Sequence, residues 1–123
     1  MQINGNAHLS YCTNIHAGES WPETLRSLEE YCIPLKEKIS PGQPFGIGLR
    51  LSNESSEALA QPLVLKQFHD WLAEHDLYVF TINGFPYGAF HDQVVKDQVH
   101  HPDWTTPERL AYTKRLFDIL ATI

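Results

Sequence analysis

Seven residues stand where a binding site would need them. Asn14 and His16 follow the β-type run 7–13, Arg50 lies near the end of the run 45–51, and Asn83 ends the run 77–83. Phe85, Tyr87 and His91 occupy the next segment, Gly84-Phe85-Pro86-Tyr87-Gly88-Ala89-Phe90-His91. An arginine in an apolar strand needs an anion or several hydrogen-bond acceptors, so Arg50 is expected to hold an anionic or hydroxyl group. The amides Asn14 and Asn83 and the ring of His16 can exchange hydrogen bonds with a polar ligand. Phe85 and Tyr87, with His91, can wall or cover the apolar face of a ring. The partner this chemistry implies is a small polar or ring-bearing metabolite.

Other candidates carry less. Of the seven histidines, His8 reads as a packed or amino-terminal strand residue, and His69 and His75 as helix-surface or helix-end residues. His100 and His101 are adjacent, so their side chains point apart and make a poor joint ligand pair. Asp92 beside His91 could orient that ring, but neighbouring side chains seldom meet well. Gly46 and Gly48 lie inside a strand, not at its exit into a helix, so they do not form a dinucleotide fingerprint. Cys12 and Cys32 have no motif spacing and read as buried, reduced thiols.

Composition narrows the classes. The 123 residues suit one domain, 42% are hydrophobic and 20% charged. A net charge of -6, with no basic cluster, argues against a nucleic-acid partner. No apolar run approaches the roughly 18 residues of a membrane span, and the amino terminus lacks a signal-peptide layout, so a cytoplasmic protein is expected.

The elements follow from periodicity. The first strand alternates Leu9, Tyr11 and Thr13 with His8, Ser10 and Cys12. Ser20-Trp21-Pro22-Glu23 is a capping-box start, and Trp21, Leu25, Leu28, Cys32, Leu35 and Ile39 form one helical stripe that Pro34 should kink near Cys32. The second strand, 45–51, puts Phe45, Ile47, Leu49 and Leu51 on one face and Gly46, Gly48 and Arg50 on the other. Two strand glycines suggest that something approaches the backbone closely. A short helical turn is expected over 52–59, and a helix from Gln61-Pro62 to about His75 buries Leu65, Phe68 and Leu72 with Val64 and Trp71. The third strand should turn Tyr78, Phe80 and Ile82 toward helices, and Val79, Thr81 and Asn83 the other way. Residues 92–104 show weak periodicity, with one helical turn near Val94 and Val95. Thr105-Thr106-Pro107-Glu108 starts a last helix that runs to Ile123.

Strand, helix, strand, helix, strand, helix implies a parallel sheet in an α/β fold. Units of about 30 to 40 residues match those of a TIM barrel, whose eight need roughly 250 residues. The series therefore reads as a βαβαβα segment, the first three units of a barrel, ending abruptly after the third helix. A self-sufficient three-stranded domain is the alternative. The barrel-facing side would hold Ser10, Cys12, Asn14, Arg50, Ser52, Thr81 and Asn83. Two open sheet edges should favour self-association.

Four stretches together resemble the amino-terminal part of EboE-type metabolite traffic proteins, within the xylose isomerase-like barrels and the sugar phosphate isomerase/epimerase superfamily. They are His8-Leu9-Ser10-Tyr11-Cys12-Thr13-Asn14-Ile15-His16, Phe45-Gly46-Ile47-Gly48-Leu49-Arg50-Leu51, Phe80-Thr81-Ile82-Asn83-Gly84-Phe85-Pro86-Tyr87-Gly88, and Pro102-Asp103-Trp104 before Pro107-Glu108-Arg109-Leu110. The resemblance covers nearly the whole chain, in order, whereas such proteins run to several hundred residues. It implies a complete protein that is either a metal-dependent isomerase or epimerase, or a non-enzymatic metabolite carrier. In the first case a divalent ion would polarise a carbonyl or enediolate oxygen, with base and metal ligands on later strands. This segment by itself would be inactive.

Overall fold

The computed structural model describes residues 1–89, 91 and 96–123. Phe90, Asp92, Val94 and Val95, which figure in the sequence-based expectations, lie outside the described residues. A small antiparallel hairpin, β1 (Gln2–Ile3) and β2 (Ala7–His8), opens the chain. Asn4 and Gly5 turn it with φ of 52° and 77°. β3 (Ser10–Cys12), β4 (Phe45–Arg50) and β5 (Leu77–Asn83) then form a parallel sheet in the order β3-β4-β5. The expected first strand is thus two pieces, its first two residues going to the hairpin and Ser10–Cys12 to the sheet.

Helices alternate with the strands. α1 (Trp21–Ser27) runs through a π-helical turn (Leu28–Cys32) into α2 (Ile33–Ile39). α3 (Asn53–Leu59) and α4 (Pro62–Glu74) link β4 to β5, and α5 (Pro107–Leu120) comes after a short 3-10 helix (Lys96–His100). Phe45, Ile47, Leu49, Leu77 and Val79 from the sheet share one buried cluster with Trp21, Leu28, Cys32, Leu59, Phe68, Leu72, Tyr112, Leu116 and Ile119 from the helices. One sheet face therefore carries the helical layer and the core. The opposite face takes Ser10, Cys12, Gly46 and Gly48, which share its register.

Three local features depart from the sequence pattern, each for a physical reason. First, β5 contains a bulge: Ile47 pairs with Val79 but Gly48 with Thr81, so Phe80 is an extra residue. The extra residue inverts the alternation. Leu77 and Val79 face the helices, Tyr78 and Phe80 fall on the other face against His8, and beyond the bulge Ile82 returns to the side of Leu49. The expected inward Val79 and helix-facing Tyr78 and Phe80 are thereby exchanged, while Thr81 and Asn83 keep their expected face.

Second, the helical stripe changes phase. Pro34 cannot donate a backbone hydrogen bond, and the break expected near Cys32 takes the form of the π turn, where Ile33 N–H reaches Leu28 O. The wider turn rotates α2, so Ile39 is 52% exposed and Lys36 is buried in its stead. The Lys36 ammonium lies 3.8 Å from Asp76 and 3.7 Å from Glu37. Third, Cys12 is exposed, because its sheet face is open. Only Cys32 is buried as expected, and burial pushes its thiol up to about 12.

The close approach implied by the strand glycines is real, and the hairpin supplies it. A Cβ at Gly46 would sit 2.9 Å from Leu9 O, 2.9 Å from Met1 N and 3.0 Å from the Phe80 ring. Two of these neighbours are backbone and cannot swing aside. Gly46→Ala is therefore expected to destabilise the fold by about 1–3 kcal/mol. Gly48→Ala, whose Cβ would meet the Ser10 hydroxyl at 3.2 Å, should cost less. Urea unfolding midpoints of the two variants at unchanged m-value check the order.

Candidate functional site

The carboxyl ends of β3, β4 and β5 lie side by side, with Arg50 in register with Asn83. Arg50 is 4% exposed. Its Nη1 donates to Gly18 O and to the Glu19 carboxylate, both at 2.9 Å, and its Nη2 donates to Gly88 O at 2.9 Å and Pro86 O at 3.5 Å. The anion and the acceptors that a buried arginine demands are thus supplied by the protein. One guanidinium joins the loop after β3 to the loop after β5, and its position holds them; the acceptors expected from a ligand come from these loops.

Neighbouring hydroxyls secure the same clamp. Thr13 Oγ1 accepts from Arg50 N–H at 2.9 Å and donates to Gly48 O at 3.3 Å, so it ties the end of β3 to β4. Ser52 and Ser55 both donate to Glu19 O, and Thr24 Oγ1 lies 3.0 Å from Ser55 Oγ. Ser52 also caps α3 by accepting from Ser55 N–H. At the other end of this loop the Glu23 carboxylate accepts from Ser20 N–H and Glu19 N–H, the reach-back of the capping box. Glu19 carried no periodic or motif signal, and only its place after Gly18 in a strand-to-helix loop could have pointed to it.

Both amides bind the backbone of Phe85 at this end. Asn14 Nδ2 donates to Phe85 O at 3.5 Å, and Asn83 Oδ1 accepts from Phe85 N–H at 3.1 Å. Asn14 Oδ1 is taken by the Cys12 thiol at 3.2 Å. Phe85 is 39% exposed, and its ring sits 5.6 Å from that of His100. Tyr87 turns inward instead: its ring packs edge-on against the buried Tyr112 at 5.0 Å, and its carbonyl accepts from Asn53 N–H at 2.8 Å. Burial pushes the Tyr87 hydroxyl pKa upward. Tyr87 thus anchors the loop to the helical layer, whereas Phe85 stands at the surface.

His16 belongs to a separate small cluster. Its Nε2 is 2.7 Å from Tyr11 Oη, and its ring stacks on Tyr31 at 4.2 Å with planes 6° apart. The π turn carries Tyr31, so the break before Pro34 also sets this stack. Burial holds the His16 pKa below its ordinary value, against the opposing charge of Glu30 and with a smaller push from His91. His91 lines a polar cleft of about 350 Å³ with Gly18, Glu19, Glu23, Arg26 and Ser27. The structure therefore gathers Asn14, Asn83 and Phe85 directly, holds them with Arg50 and Tyr87, and sets His16 and His91 beside the clamped loop. No group of three or more His, Cys, Asp or Glu side chains suited to a metal ion occurs among the described residues.

Removing the Arg50 side chain strands Glu19 and two loop carbonyls, so Arg50→Ala should cost about 3–5 kcal/mol in urea unfolding. Arg50→Lys, which cannot fork between both loops, should recover only part of it. For His16, the unfolded ring titrates near about 6.5 and the folded ring lower. The unfolded state thus takes up the proton first, and this group's contribution to stability falls as pH drops through about 6.5. A histidine NMR titration should place its midpoint below that value, and His16→Gln should flatten this part of the pH–stability curve. No protein-family model, no curated protein and no solved structure matches the chain, so function is read from this geometry.

Proposed function

We propose that this chain binds a small polar metabolite at the carboxyl ends of its three strands, as one wall of a xylose isomerase-like barrel. The observation that carries this reading is the cross-linked set Asn14, Asn83 and Phe85 above loops clamped by Arg50. In parallel α/β folds this end of the sheet is where ligands bind. A parallel sheet with helices on one face, and a second face that carries Ser10, Cys12, Gly46 and Gly48 with Tyr78 and Phe80, supports a barrel-wall reading. The resemblance of the four sequence stretches to that superfamily points the same way.

Within this reading Arg50 acts by positioning, and contact with the ligand falls to Asn14, Asn83, Phe85, His16 and His91. The metal that an isomerase would use finds no three-ligand group among the described residues. A binding or handover role is favoured over proton transfer, because His16, in the loop after β3, is engaged by Tyr11 and stacked on Tyr31. Self-association through sheet edges is also part of the proposal. No strand pairs with the outer edges of β3 and β5 among the described residues. The bulge interrupts the β5 edge, so the β3 edge is the better candidate.

Titration of the ¹⁵N-labelled chain with D-xylulose and with its 5-phosphate tests the site. Saturable amide shifts in the millimolar range should centre on residues 14, 16, 83 and 85, and Asn14→Ala should weaken binding about tenfold. Shifts centred elsewhere, or none with either sugar, would remove the site.

A further inference from the structure

A second cavity lies between β5 and α5, at the start of the loop after β5. It encloses about 380 Å³ and is lined by Ile82, Leu116, Leu120, Phe85 and Trp104, with Arg109 as the charged residue among them. Its surroundings are unusually apolar for a surface: Trp104 is 71% exposed and Phe117 is 69% exposed. A volume of this size falls within the range of small-molecule pockets, which are mostly apolar with a few placed polar groups.

Arg109 is the informative member. Its guanidinium lies over the Trp104 ring at 4.7 Å and the Tyr112 ring at 5.5 Å, and Nη2 donates to Gly84 O at 2.9 Å. A guanidinium offers five N–H donors, and here Nε is buried with no hydrogen-bond acceptor among the described residues. Among the described residues no carboxylate lies within ion-pair distance of it. Arg50 and Arg115, by contrast, each hold a glutamate. A part-buried cation with no counter-charge among the described residues, beside an apolar groove, is the complement of an apolar anion.

We infer that the groove binds an amphipathic carboxylate, its apolar body against Ile82, Leu116 and Leu120 and its charge toward Arg109. The placement is fixed by the fold. Gly84 holds the chain so close to α5 that an added Cβ would sit 2.6 Å from Leu116 Cδ1. The loop carbonyl that fixes Arg109 is therefore itself held against the groove. The site shares Asn83 and Phe85 with the metabolite site but lies on the helical side of the sheet, and its test with acids and alcohols is separate from that reading.

Calorimetry with four probes tests it: 4-phenylbutyrate, octanoate and the two corresponding alcohols. At least one acid should bind saturably, about tenfold or more tighter than its alcohol. The acid that does so tells an aromatic source from an aliphatic one. Arg109→Gln should abolish the preference for the acid while leaving the alcohol unchanged. Should that variant fail to fold, Phe117→Asp, at an exposed side chain, should weaken acid and alcohol alike. Equal affinity for acid and alcohol in the unmodified chain, or no saturable binding of either acid, overturns the inference. So does concentration-dependent broadening of the Leu110 and Phe117 resonances, which would show a second copy covering the groove.

Discussion

The contact on which the upper part of this molecule depends is the fork of Arg50 between two loops. A guanidinium at this depth must be fully partnered, since an uncompensated charge there costs more than the clamp can return. The chain answers with a carboxylate and three carbonyls from segments more than 30 positions away in sequence. Because most of the acceptors are backbone, the loops must adopt the conformations that present them. Order in the loop after β3 and order in the loop after β5 are one condition.

Around this fork the strand ends are bound by small hydroxyl groups instead of large side chains. Thr13, Thr24, Ser52 and Ser55 each bridge two segments, and all four are buried. Hydroxyls can donate and accept at once, so a few of them satisfy a crowded junction of loop, strand end and helix start. The opposite end of the sheet is closed differently, by a hairpin whose backbone lies against Gly46. The sheet is thus buttressed at its amino-terminal end by the hairpin and at its carboxyl end by polar cross-links, with the amides Asn14 and Asn83 above the latter.

How far the sequence reveals this can be judged from particular residues. Capping patterns at Ser20 and Thr106, and the proline of Gln61-Pro62, mark helix starts because each acts within a few residues of itself. The alternation of Phe45, Ile47 and Leu49 assigns the central strand its faces for the same local reason. The bulge at Phe80 has no such mark: one extra residue is chosen by how β5 docks on β4, and it reverses Tyr78, Val79 and Phe80. The phase change that buries Lys36 and exposes Ile39 is similarly a product of packing after the π turn. Among the candidate site residues, the inward position of Arg50 is legible, but its partners are not, since carbonyl groups are the same in every sequence.

What the sequence determines by itself is therefore the alternation of strands and helices, the helical side of the central strand, and the need of a buried Arg50 for an anion and acceptors. These come from short-range periodicity and from the solvation of a charge. Tertiary structure alone decides that Glu19 and the Pro86 and Gly88 carbonyls meet that need, and that Tyr87 turns to the core while Phe85 stays outside. It also decides that Arg109 has no carboxylate beside it among the described residues. Each depends on which distant segments the parallel sheet brings into register, and no local pattern encodes that distance.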